Sequence, residues 1–159
     1  MDMLRLSEII GKEIADLRFH YVPENEYGLQ SFHAYLKLSD DTIIDIPKFD
    51  DDVYLHLTTE NLDYLKSRFD NGAIIEKKLK TLIIGQKITD IFFCYYNNEV
   101  DVDFSAIIKL SNNMYLSEKN FGPVGITNVD LILLNEEEFN IEKQRLQSIN
   151  VTVEKFESK

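Results

Sequence analysis

The sequence predicts an α+β protein: two antiparallel β-sheet units in tandem, each with one or two short helices, related by a pseudo-twofold axis. Three observations carry this. Ile9 to Tyr21 returns as Ile83 to Tyr95, with 7 of 13 positions identical. Phe32-His33-Ala34-Tyr35-Leu36-Lys37-Leu38-Ser39 returns as Phe104-Ser105-Ala106-Ile107-Ile108-Lys109-Leu110-Ser111, after a turn two residues shorter. Both blocks alternate apolar and polar residues at the period of a strand with one face buried. A unit of this size buries little apolar surface alone, so two are expected to share one core. The expected organisation is a single compact domain over 1–159, with repeats at about 4–72 and 78–148 and a C-terminal segment.

The first unit opens with Leu4 to Ile10, apolar at near-helical spacing, and Gly11 stops it because glycine tolerates positive φ just past a helix. Gly85 repeats the device. Ile14 to Tyr21 reads as a strand with Leu17, Phe19 and Tyr21 on one face and Asp16, Arg18 and His20 on the other. Pro23 to Gly28 turns the chain, and Leu29 to Leu38 returns with Phe32, Ala34, Leu36 and Leu38 inward. Ser39-Asp40-Asp41 leads into a strand at Thr42 to Ile46 that Pro47 ends, and Val53 to Leu57 alternates again.

Thr58 begins a helix with acidic residues in its first turn and Leu62, Leu65 and Phe69 on one face, closed by Asn71-Gly72. Residues 73–82 read as a basic connector to the second unit, in which the same order of elements is expected. Asn135-Glu136-Glu137-Glu138 marks another helix start, with Phe139 and Leu146 as inward anchors, and Val151-Thr152-Val153 reads as a final edge strand.

Composition narrows the function classes. Of 159 residues, 44% are hydrophobic, with 10 Phe and 8 Tyr, enough to build a core. The formal net charge of −11, from 28 acidic and 17 basic residues, opposes binding to phosphate backbones. Residues 1–75 carry 15 acidic and 7 basic side chains (−8), and residues 76–159 carry 13 and 10 (−3), so the first unit is the charged one. A single cysteine, Cys94, and no leader-like or membrane-spanning apolar run lead to the expectation of a cytoplasmic protein without a membrane partner.

No catalytic string appears: the G-x-S-x-G, H-E-x-x-H and phosphate-loop patterns are all missing. Asn120 to Gly125 contains glycine but reads as a hairpin loop, and Cys94 lacks a local His or CxxC partner. His20, His33 and Asp16 share a face and have ligand chemistry for Zn²⁺ or Fe²⁺, yet the second unit carries Cys94 and Ser105 at the matching positions. An ordinary sheet face explains them more simply, and no cofactor is expected. Asp16 and Asp90, like Lys37 and Lys109, recur at matched positions, which suits turn-amide acceptors and cross-strand pairing.

Two features stand out. Asp40, Asp41, Asp45, Asp50, Asp51 and Asp52 crowd one stretch without the spaced ligands and glycine of a calcium loop. A solvated acidic loop and a docking surface for a basic protein both fit. On the outward face, Arg18, His20, His33 and Tyr35 of the first unit stand where the second has Phe92, Cys94, Ser105 and Ile107. The second face is therefore expected to be covered, by the C-terminal helix or a subunit, and the first to meet water or a polar partner.

In size, acidity, lack of catalytic motifs, duplicated sheet-rich unit and acidic strip Asp40 to Asp52, the chain resembles the small immunity proteins of bacterial polymorphic and contact-dependent toxin systems. The likeness covers general character, not a residue motif. It implies a non-catalytic inhibitor that binds one cognate basic protein toxin, a nuclease in many such systems. Arg18, His20, His33, Tyr35 and the six aspartates are the candidate contacts. The alternatives are a small hydrolase or metal-dependent enzyme using Asp16, His20 and His33, and a homo-oligomeric, for example homodimeric, interaction module.

Overall fold

The alternation read from the sequence becomes strand in both halves of the chain. The computed structural model describes residues 2–22, 31–45, 54–57, 66–67, 69–74, 77–100, 106–120 and 129–157. Asp2–Arg5 (β1) runs into a one-turn helix, Leu6–Ile9 (α1). Ile14–Val22 (β2), Ser31–Leu38 (β3), Ile43–Asp45 (β4), Tyr54–Leu57 (β5) and Ala73–Ile74 (β6) follow. Lys77–Ile83 (α2) precedes Ile88–Tyr96 (β7), Glu99–Val100 (β8), Ile107–Leu110 (β9), Tyr115–Asn120 (β10) and Val129–Leu134 (β11). Glu136–Gln147 (α3) and Thr152–Lys155 (β12) complete the order.

The class is α+β: two principal antiparallel sheets with a few short helices. One sheet has the order β4-β3-β2-β6; the other runs β11-β10-β9-β7-β12, with β8 also paired to β7, and β1 and β5 form a separate ribbon. The register repeats between sheets. Asp16 faces Lys37 across β2 and β3, Asp90 faces Lys109 across β7 and β9, and a register shift precedes the aspartate in each, between Ile14 and Asp16 and between Ile88 and Asp90. Such irregularities increase local strand twist.

One apolar cluster draws on both sheets. Ile9, Ile14, Leu17, Ala34, Leu36, Leu38 and Ile44 pack with Ile83, Ile88, Ile91, Phe93, Ala106, Ile108, Leu110 and Leu116. The expected inward positions Leu17, Ala34, Leu36, Leu38, Phe93 and Ile108 are thus core; those at Phe19, Tyr21, Phe32 and Phe104 concern side chains outside the described residues. The seam between the sheets is closed by backbone. Gly11 donates to the Ile88 carbonyl at 2.6 Å and Gly85 to that of Ile14 at 2.9 Å; Ile14 donates to Gln86 and Ile88 to Lys12, at 2.8 and 2.9 Å. Both glycines have positive φ, +92° and +86°.

The outer face of the second sheet is covered by α3. Asn135 caps it: its side chain accepts from the Glu138 amide at 2.8 Å while the Glu138 carboxylate accepts from the Asn135 amide at 3.0 Å. The cap orients Phe139, which stacks on Tyr115 at 3.9 Å between ring centres and lies 5.2 Å from Phe92; Leu146 packs on Cys94 and Val151. The Tyr115 hydroxyl donates to Glu136 at 2.8 Å, and burial, with that carboxylate, pushes its pKa up to about 12. Phe139 and Leu146 are the anchors the sequence suggested, and Thr152–Lys155 is the edge strand.

Two local expectations need correction. The stretch 73–82 is no connector: Ala73 and Ile74 pair with Phe19 and Arg18, and Lys77–Ile83 is helical because its turn buries Ile83. Leu4 to Ile10 is helical only over Leu6–Ile9, since Asp2 to Arg5 pair instead with Leu57 to Tyr54. The expectations at Pro23 to Gly28, Pro47, Thr58 to Leu65 and Phe121 to Gly125 lie outside the described residues.

Candidate functional site

Of the candidate contacts, Arg18 and Tyr35 lie on the outer face of the first sheet, and Asp40 and Asp41 lie in the turn from β3 to β4. Arg18 lies opposite Tyr35, and His20 opposite His33, in adjacent antiparallel strands. The side chains of His20, His33 and Asp45 are outside the described part, as are residues Asp50, Asp51 and Asp52. Among the described residues no group of three His, Cys, Asp or Glu side chains is arranged to hold a metal ion. No helix among them is long and apolar enough to cross a membrane.

Tyr35 departs from expectation. Only 3% exposed, it is buried with Ile43 and Phe69. Phe69 packs on this face much as Phe139 packs on the other, so Tyr35 offers no surface to a partner. The sequence showed Phe69 as a helix anchor; it gave no sign of which sheet face the anchor would meet.

Arg18 stays partly accessible beside it. The guanidinium sits 5.4 Å from the centre of the Phe69 ring, Nη1 donates to the Gly72 carbonyl at 3.4 Å, and Nε lies 3.6 Å from Asp16 Oδ2. Asp16 accepts from the Leu17 amide at 2.8 Å, an amide within β2 and not in a turn as expected, and its Oδ1 is 3.7 Å from Lys80 Nζ. Lys37 reaches both the Phe69 ring, 5.8 Å to its centre, and Asp41 Oδ1 at 3.7 Å. Nothing in the sequence of 73–82 marks Lys80 as a neighbour of this face, because its meeting with Asp16 is a contact between elements distant in sequence. Asp90 meets Lys155 at 3.0 Å.

Asp40 and Asp41 form the turn from β3 to β4. Asp40 Oδ1 accepts from the Thr42 amide at 3.1 Å and Oδ2 meets Lys12 Nζ; these bonds hold the Asp40 carboxyl down to about 2. Asp41 has positive φ, +69°, and its side chain is 87% exposed, so its charge faces solvent despite the nearby Lys37. Asn112 and Asn113 build the corresponding turn from β9 to β10. The Met114 amide donates to Asn112 Oδ1 at 3.2 Å, and Asn113 has φ +65°.

Among the described residues the arrangement is one of charge: carboxylates at a turn and a small cationic group beside an aromatic ring. No protein-family model, curated protein or solved structure matches the chain.

Proposed function

We propose that the chain is a tandem duplication of one α+β unit about a pseudo-twofold axis, and that it acts as a non-catalytic, immunity-type inhibitor of a cognate basic toxin. The duplication is supported by the backbone bonds exchanged at Gly11 and Gly85, by the matched registers of Asp16 with Lys37 and Asp90 with Lys109, and by the repeated sequence.

The single observation that carries the functional reading is the contrast between the two hairpin turns. Both follow one plan: Asp41 donates to Leu38 and Asn113 to Leu110, each at 2.9 Å, and the preceding side chain accepts from the amide two residues on. Neutral asparagines meet that geometry in the second turn. The negative charges of Asp40 and Asp41 are therefore surplus to turn formation, and they sit on a protein of net charge −11. Surplus like charge at an exposed turn steers a basic partner and speeds its association.

Replacing Asp40 and Asp41 together by Asn copies the second turn, so the fold is retained while the charge is removed. A pull-down from the source cell identifies the partner, and stopped-flow mixing at two salt concentrations measures association. The double substitution is expected to slow association several-fold at low salt, less near physiological salt where screening acts within about 8–10 Å, and to leave dissociation nearly unchanged. A partner as acidic as this chain, or association insensitive to salt, rules the reading out.

A further inference from the structure

Among the described residues, three cationic side chains of this acidic protein gather around Asp16 and Phe69, Lys37 being also 3.7 Å from Asp41. Arg18 and Lys80 share a single carboxylate, Asp16, at 3.6 and 3.7 Å, and Lys37 stands across the strand pair from it. Arg18 and Lys37 both lie within 6 Å of the centre of the Phe69 ring. Among the described residues the guanidinium makes one long hydrogen bond, to Gly72, and its buried Nε, though 3.6 Å from Asp16 Oδ2, has no hydrogen-bond acceptor. A guanidinium carries five N–H donors, and leaving them unpaired while taking part of the group out of water costs free energy.

Packing does not call for an arginine here. The corresponding residue of the second sheet is Phe92, across from Ile107 as Arg18 is across from Tyr35, and it closes its layer against Tyr115 and Phe139. An aromatic ring fills such a position without desolvating a charge. What the guanidinium supplies and a ring does not is a planar fork matched to two oxygens of one anion. Arg18, Lys37 and Lys80 keep 28%, 37% and 40% of their side chains exposed, so the group is open to a ligand.

We propose that Arg18, Lys37 and Lys80 form an oxyanion-binding site beside Phe69, which takes a carboxylate or a phosphate group. The site stands independently of the inhibitor reading. Where both hold, a partner's acidic side chain pairs with Arg18 and sets the register of a complex that the aspartates have steered together.

The test is an NMR titration of the full chain with sodium acetate and, separately, with inorganic phosphate, following the Gly72 amide and Phe69 ring signals. Sodium chloride at matched ionic strength is the control. A saturable shift with acetate assigns the site to carboxylates, and one with phosphate to phosphoryl groups; either supports it. Arg18→Lys keeps the charge but loses the fork, and is expected to weaken binding by about tenfold. Arg18→Phe, which copies the second sheet, is expected to abolish the shift with Tm unchanged or raised. Shifts that chloride reproduces, meaning an adventitious ion only, overturn the proposal. So does a fall in Tm in Arg18→Phe, which makes the arginine structural. Should Arg18→Phe fail to fold, an unweakened Arg18→Lys is the overturning result.

Discussion

The amide of Gly11 donates to the carbonyl of Ile88 across 2.6 Å, joining the end of α1 to the first residue of β7. Gly85 returns the bond to Ile14. A seam made by backbone groups tolerates little change in backbone conformation, and both glycines hold positive φ there.

A methyl group added at either glycine meets no atom within 4 Å, so any cost comes from φ alone. Gly11→Ala and Gly85→Ala are each expected to lower stability by about 1–2 kcal/mol, with Asn in place of Ala recovering part of it. Urea unfolding measures this. Indifference at both positions would mean that the seam does not depend on the left-handed conformation.

Leu36 and Ile108 occupy matched places in the shared core, and neither is exposed to solvent. Leu36→Ala and Ile108→Ala are each expected to cost about 2–5 kcal/mol through lost burial and an unfilled cavity. Leu82, 37% exposed, serves as the contrast, and Leu82→Ala should stay within about 1 kcal/mol of the parent. Losses below about 1 kcal/mol at both core positions would contradict the strand faces described above.

The Asp40 carboxyl is held at about 2, below its ordinary 3.8, first by the hydrogen bond from Lys12 and then by Thr42. Folding therefore favours the ionised form. The stabilisation is present above the ordinary carboxylate pKa and disappears as pH falls from about 4 through about 2. Because the pair is solvent-accessible, with 28% and 45% of the two side chains exposed, the effect is expected to be no more than about 1 kcal/mol. The stability difference between parent and Asp40→Asn should thus be small at pH 7 and vanish near pH 2, by thermal unfolding across that range. A difference that grows on acidification would mean that the Lys12 contact does not stabilise the fold.

Local chemistry was legible in the sequence wherever the physical determinant is itself local. Strand faces follow from alternation, so the inward positions of Leu17, Ala34, Leu36 and Leu38 are readable from the sequence. The Asn135 cap follows from a side chain reaching an amide three residues away. The aspartate turn was equally readable, because Asp40 needs only Thr42 to shape it.

What tertiary structure alone decided is which surface covers which. Tyr35 sits at an outward strand position, as its parity requires, and is nonetheless buried because Phe69, 34 residues away, packs against the same face. The Arg18 group depends on Lys80 of α2 reaching Asp16 of β2, and the seam depends on amides meeting carbonyls more than 70 residues distant. No periodicity within a strand or helix encodes such meetings. They are set by how two amphipathic sheets bury their inner faces together, and by which residues of the remaining chain then close over the outer ones.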